Sequence, residues 1–83
     1  MSKILVEVRV PAAERRRDVF IPYERPVCEI TELVKGVFSE EAAQGFEPDA
    51  ETLLCDAESG QVFDVNRTPE ELGLSNGARL LLI

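Results

Sequence analysis

The side chains with chemical potential are few in this chain of 83 residues, and the most useful observation is that it contains no histidine. Without imidazole there is no histidine general base and no zinc set that depends on histidine ligands. Cys28 and Cys55 are too few for a structural zinc site and too far apart for the dense disulfide staples of a small secreted domain. Each lies in an apolar context, where a free cysteine behaves as a small buried hydrophobe. Ser2, Ser39, Ser59 and Ser75 would be nucleophiles only beside a base, and no recognisable motif supplies one. Glu40-Glu41, Glu70-Glu71 and the spaced Asp49, Glu51, Asp56 and Glu58 offer acid–base pairs or a hard-cation site, but carboxylates of this kind usually form the solvated face of an acidic chain. "ESGQ" and "SNGA" hold one glycine each, too few for a glycine-rich phosphate loop. These features predict a protein that is not an enzyme and needs no metal or cofactor.

Charge narrows the partners. Sixteen acidic residues against nine basic give a net charge of -7, which opposes general affinity for nucleic acid or an anionic membrane surface. The local exception is "ERRR", where Arg15, Arg16 and Arg17 follow Glu14. A charge cluster of this type is usually a solvated loop tip, the other reading being a docking contact for a partner. The first ten residues alternate charge with apolar side chains and lack the unbroken apolar core of a signal peptide. Nothing approaches the roughly 20 apolar residues of a membrane span. A cytoplasmic protein is expected. "NRT" at residues 66–68 matches a glycosylation acceptor, a pattern too short to carry weight outside a secreted chain.

The elements that must position these groups follow from periodicity. The length predicts a single domain over residues 1–83, and a chain this short buries only roughly 60 to 65% of the surface its unfolded form exposes. With 45% apolar residues against 30% charged, the composition is that of a folded domain and not of a disordered one. From Lys3 to Val10, Ile4, Val6, Val8 and Val10 alternate with Lys3, Leu5, Glu7 and Arg9, the period of a half-buried strand. "PAAERRR" turns the chain, and "DVFIPY" alternates again as a hairpin partner ended by Pro22. After Pro26, Val27, Ile30, Leu33, Val34, Val37 and Phe38 recur at three- and four-residue steps, an amphipathic helix ending near Gly45, with Gly36 as its weak point. "FEPDAE" is a connector, "TLLCDA" a third strand, "QVFDV" a fourth, "TPEELG" one helical turn, and the chain from Ala78 a last strand.

This order predicts an α+β fold with a mixed five-stranded sheet and one crossover helix. One helix covers one face of the sheet. Alternation assigns Leu54, Leu81 and Ile83 to the uncovered face, with Leu5 and Phe20 as possible neighbours. A contiguous apolar patch there would be a protein-binding surface.

The element order and the particular stretches "RPVCEITELVKGVF" and "TPEELGLSNGARLLLI" resemble the helix and the closing turn and strand of ubiquitin, the β-grasp fold. Within that superfamily, "QVFD" followed by "LGLSNGARLLLI" is most similar to the small bacterial ubiquitin-like proteins of the YukD/EsaB family, associated with type VII secretion. The resemblance implies a cytoplasmic accessory or regulatory component whose protein partner belongs to the secretion machinery, such as its membrane component. Conjugating relatives act through a tail ending in two glycines, and the stretch "LLLI" shows none, so a non-conjugated module is expected. By the same resemblance Leu54, Leu81 and Ile83 match the ubiquitin binding patch, and its counterpart in the first hairpin falls in "PAAERRR". The alternatives are a small ubiquitin-like subunit of a multicomponent enzyme such as a bacterial monooxygenase, or a carrier lacking its tail.

Overall fold

The computed structural model describes residues 2–40 and 52–83. Strand β1 (Lys3–Val10) runs into a one-turn 3-10 helix (Pro11–Ala13) and returns as β2 (Arg15–Pro22). Helix α1 (Val27–Glu40) follows, then β3 (Leu54–Asp56) and β4 (Ala78–Leu82). The sheet order is β2-β1-β4-β3, with β1 antiparallel to β2, parallel to β4, and β4 antiparallel to β3. A parallel neighbour between two antiparallel pairs requires a crossover, and α1 lies on the chain path that makes it.

Val6, Val8 and Val10 are fully buried, as alternation requires. They share one core with Ile21, Leu54, Leu80 and Leu82 of the other strands and with Val27, Ile30, Val34 and Phe38 of α1. Those helix positions lie on one stripe at steps of three and four. Leu33, expected in the stripe, is instead 55% exposed on the helix flank. The first backbone N–H groups of a helix have no partner within it. Here the N–H of Val27 donates to the Arg67 carbonyl (2.8 Å) and that of Cys28 to the Val65 carbonyl (3.0 Å), so the late loop seals the helix start. Pro26 stands just before the first turn, its carbonyl accepting from the N–H of Ile30 (3.2 Å). The expected helix end at Gly45 and the connector "FEPDAE" lie outside the described residues.

Three expectations need correction. Among the described residues the sheet has four strands, not five. "QVFDV" runs beside β3, with a single bridge between Cys55 and Val62 and N–H donation from Asp56 to the Gln61 carbonyl (2.9 Å) and from Phe63 to the Leu54 carbonyl (3.1 Å). It goes no further because Asp64 starts a turn, its carboxylate accepting from the N–H of Asn66 at 2.9 Å. The arginines, secondly, are not a loop tip. Pro11 to Glu14 completes the turn, Glu14 taking a left-handed backbone (φ 52°) with its N–H on the Pro11 carbonyl, so β2 starts at Arg15, three residues before the expected start at Asp18.

The third correction concerns Leu54. It pairs with Leu82 and is 2% exposed, on the core side. A one-residue error of register in a short strand turns every side chain to the other face. Leu53 and Cys55, its neighbours, take the outward positions.

The segment leading to β4 is defined by hydrogen bonds between distant residues. "TPEELG" forms its turn as a reciprocal cap, the Glu71 N–H donating to Thr68 Oγ1 (3.1 Å) and the Thr68 N–H to Glu71 Oε1 (3.0 Å). Gly73, at φ 72°, ends it, with N–H donation from Leu74 to the Pro69 carbonyl and from Gly73 to that of Glu70. Asn76-Gly77 then turns the chain, Gly77 at φ 90°, and the Asn76 amide oxygen accepts the Leu5 N–H at 2.8 Å. The Gly77 N–H donates to the Leu5 carbonyl, also at 2.8 Å. This clasp sets the register in which Val6 meets Ala78 and Arg9 meets Leu81.

Candidate protein-binding surface

The candidate surface is the sheet face that α1 does not cover. Its rows run across the strands by pairing. Phe20 pairs with Leu5 at one end; Asp18, Glu7 and Arg79 form the next row; Arg16, Arg9, Leu81 and Cys55 the third. Beyond them, Leu53 and Ile83 exchange backbone hydrogen bonds of 2.6 and 2.9 Å. Antiparallel partners share a face, so these rows lie side by side on one surface.

The apolar part of that surface has two pieces. Phe20 is 65% exposed at the β2 end, whereas Ile83 (53%) and Leu53 (38%) stand with half-buried Leu81 at the β3–β4 end. A charged band separates them. Glu7 is its hub, with Oε1 3.5 Å from Arg16 and Oε2 3.7 Å from Arg79. These pairs are long and exposed on the arginine side, so each contributes at most about 1 kcal/mol and serves mainly to orient the guanidinium groups.

Of the residues expected in the patch, Leu81 and Ile83 lie side by side on the outer face, whereas Leu54 belongs to the core. The three arginines are divided. Arg16 pairs with Arg9 on the outer face, but Arg15 and Arg17 pair with Val10 and Val8 and so stand on the helix side of the edge strand. The strand period of two leaves only Arg16 beside the patch. Arg9, Arg79 and Glu7 were not singled out from the sequence as site residues, although the same alternation set Arg9 and Glu7 beside Leu5, and Arg79 beside Leu81. Leu53 carried no usable signal, because its side depends on the register of a three-residue strand.

The cysteines differ. Cys28, expected to be buried, is exposed, whereas Cys55 is fully buried as expected although it occupies the Leu81 row. Burial pushes the Cys55 thiol above the ordinary cysteine range, which suppresses the thiolate needed for nucleophilic or ligand chemistry. Among the described residues, no group of three or more histidine, cysteine, aspartate or glutamate side chains is arranged to hold a metal ion. Within the same residues, no helix is long and apolar enough to cross a membrane.

Comparison with known proteins places this geometry. The ubiquitin-like domain of the Mycobacterium tuberculosis type VII secretion system protein ECCD1 is similar, with a TM-score of 0.77 at 16% identity over 100% of this chain and 99% of that one. A chain of the toluene 4-monooxygenase HD complex with 4-bromobenzoate has a TM-score of 0.79 at 14% identity, covering 98% and 96% of the two chains. The ubiquitin of Caldiarchaeum subterraneum has a TM-score of 0.77 at 16% identity, covering 99% and 92%. These likenesses establish a ubiquitin-like β-grasp fold. No curated protein matches the chain by sequence. The family model described as "WXG100 protein secretion system (Wss), protein YukD" matches residues 5–82, nearly the full length, and the chain therefore belongs to the YukD family of ubiquitin-like proteins associated with type VII secretion.

Proposed function

We propose that this protein is a non-covalent protein-binding module, an accessory or regulatory component of a type VII secretion system working on the cytoplasmic side. Its partner is another protein of the machinery, and the module performs no reaction of its own. The observation that carries this reading is the apolar group of exposed Ile83 and Leu53 with half-buried Leu81 on the sheet face that α1 does not cover, in a chain of the YukD family. Apolar area grouped on one face, bordered by oriented charge, is the usual composition of a protein docking site.

The test is co-purification from the native host. The tagged protein should recover a component of the secretion machinery, and Leu81→Asp should abolish that recovery while leaving the circular dichroism spectrum unchanged. Equal recovery with Leu81→Asp and Ile83→Asp would remove the surface from the argument.

A second reading, a small subunit of a multicomponent monooxygenase, draws on the likeness to the toluene 4-monooxygenase chain. At 14% identity that likeness carries the fold alone, whereas the family match extends over residues 5–82. Recovery of a diiron hydroxylase instead of a secretion component would decide for the second reading. A carrier role would require the native gene to encode a terminal Gly-Gly.

A further inference from the structure

The charged band beside the patch is unbalanced in a specific way. Arg9 and Arg16 are direct cross-strand partners, an arrangement of like charges that opposes strand pairing. Sheet twist brings one diagonal of an antiparallel pair closer than the other. Here the close diagonal is Glu7 to Arg16, and the opposite one, Arg9 to Asp18, forms no ion pair. Both Glu7 oxygens are engaged, one with Arg16 and the other with Arg79. Arg9 is therefore exposed and without an ion-pair partner among the described residues, directly beside Leu81. A shallow cavity of about 450 Å³, lined by Arg9, Pro11, Glu14, Arg15 and Arg16, opens at this end of the hairpin. The concentration of guanidinium groups occurs in a chain whose net charge is -7.

From this arrangement, and resting on the binding role proposed above, we infer that the outer face receives an acidic, apolar segment of its protein partner. A carboxylate of that segment sits between Arg9 and Arg16, and its apolar side chains cover Leu81, Ile83 and Leu53. Guanidinium groups hold carboxylates through paired, charge-assisted hydrogen bonds, and a carboxylate at this point offsets the repulsion between the two arginines. Other occupants fit less well. A polyanionic nucleic acid or membrane meets net repulsion from the chain. A second copy apposed about a two-fold axis near Arg9 sets guanidinium against guanidinium.

Short overlapping peptides covering the soluble segments of the type VII secretion components of the native host provide the test, with affinities measured by fluorescence polarisation. The bound peptides should carry Asp or Glu next to leucine-like residues. Arg9→Gln should weaken them about 10-fold, and Arg9→Glu up to about 100-fold, with added salt weakening wild type more than Arg9→Gln. Peptides with lysine in place of the acidic residue should recover binding to Arg9→Glu. Since Glu at this position would face Arg16, that variant should be no less stable than wild type. Binding lost in Leu81→Asp but unchanged in both Arg9 variants would overturn the acidic anchor and leave the surface standing. Binding unchanged in all three would overturn both. Failure of every peptide to bind, or preferential binding through Arg9 to phosphatidylglycerol vesicles, would overturn the acidic-peptide inference, leaving the wider role to the co-purification test.

Discussion

On the helix side of the sheet, Val6, Val8 and Val10 of β1 are fully buried in one core with Ile30 and Val34 of α1. On the other side the same strand presents Lys3, Leu5, Glu7 and Arg9, none of them buried. Both faces obey one alternation, and the difference lies in what covers them. The β1 positions packed under α1 hold only side chains that tolerate full dehydration, whereas the uncovered face of the same strand holds apolar groups and charges together. Stability is concentrated in the first face, and the proposed docking role falls to the second.

The sharpest way to break that comparison uses adjacent residues of the last strand. Leu82 is fully buried and Ile83 is 53% exposed. Leu82→Ala should cost about 2 to 5 kcal/mol in urea unfolding, and Ile83→Ala below about 1 kcal/mol. Equal costs would mean that the outer patch is covered in the folded protein and is no docking surface.

Asn76→Ala acts at the end of the outer face, removing the acceptor of the Leu5 N–H. A loss of about 1 to 2 kcal/mol is expected, with faster amide exchange at Leu5. A neutral result would show that the parallel β1–β4 register is held by core packing alone. Gly36 offers the opposite sign. It is exposed on α1, and a Cβ added there meets nothing within 4 Å. Gly36→Ala should raise stability by about 0.5 to 1 kcal/mol without altering partner binding, because α1 faces away from the patch.

The smallest effect concerns Cys55, the exception on the outer rows because it is buried. Burial raises its thiol pKa in the fold. The unfolded chain therefore ionises first, and stability should decline as pH rises above about 8.5, the ordinary thiol value. Below that pH both states hold the proton and nothing changes. The decline should vanish in Cys55→Ala and persist in Cys28→Ser, measured by urea unfolding from neutral to alkaline pH. A decline that follows Cys28 would show that Cys55 is open to solvent.

Much of the fold was legible in the residues. The alternation of β1, the helical stripe after Pro26, the cap and glycine stop of "TPEELG" and the Asn76-Gly77 turn are local signals, each visible within a few residues. The misread parts had other causes. Leu54 was set on the wrong face because a three-residue strand carries too little pattern to set its own register, which pairing with Leu82 decides. "QVFDV" has the composition of a strand, but the Asp64 turn ends its pairing after one bridge. Three consecutive arginines read as a solvated tip, yet Pro11 to Glu14 completes the turn before them.

By itself the sequence determined the side of β1 and β4 on which each residue lies, since alternation is built into an extended backbone and needs no partner. It therefore also determined that Leu81 and Ile83 face away from Leu80 and Leu82. The tertiary structure alone decided which strands adjoin, and with that the grouping of Arg9 with Arg16 and Leu81, and of Leu53 with Ile83. Arg16 reaches Arg9 through the first hairpin, whereas Leu81 reaches Arg9, and Ile83 reaches Leu53, from segments far apart along the chain. Which of them meet is settled by the crossover and the Asn76 clasp, whose free energy appears only when the whole sheet closes.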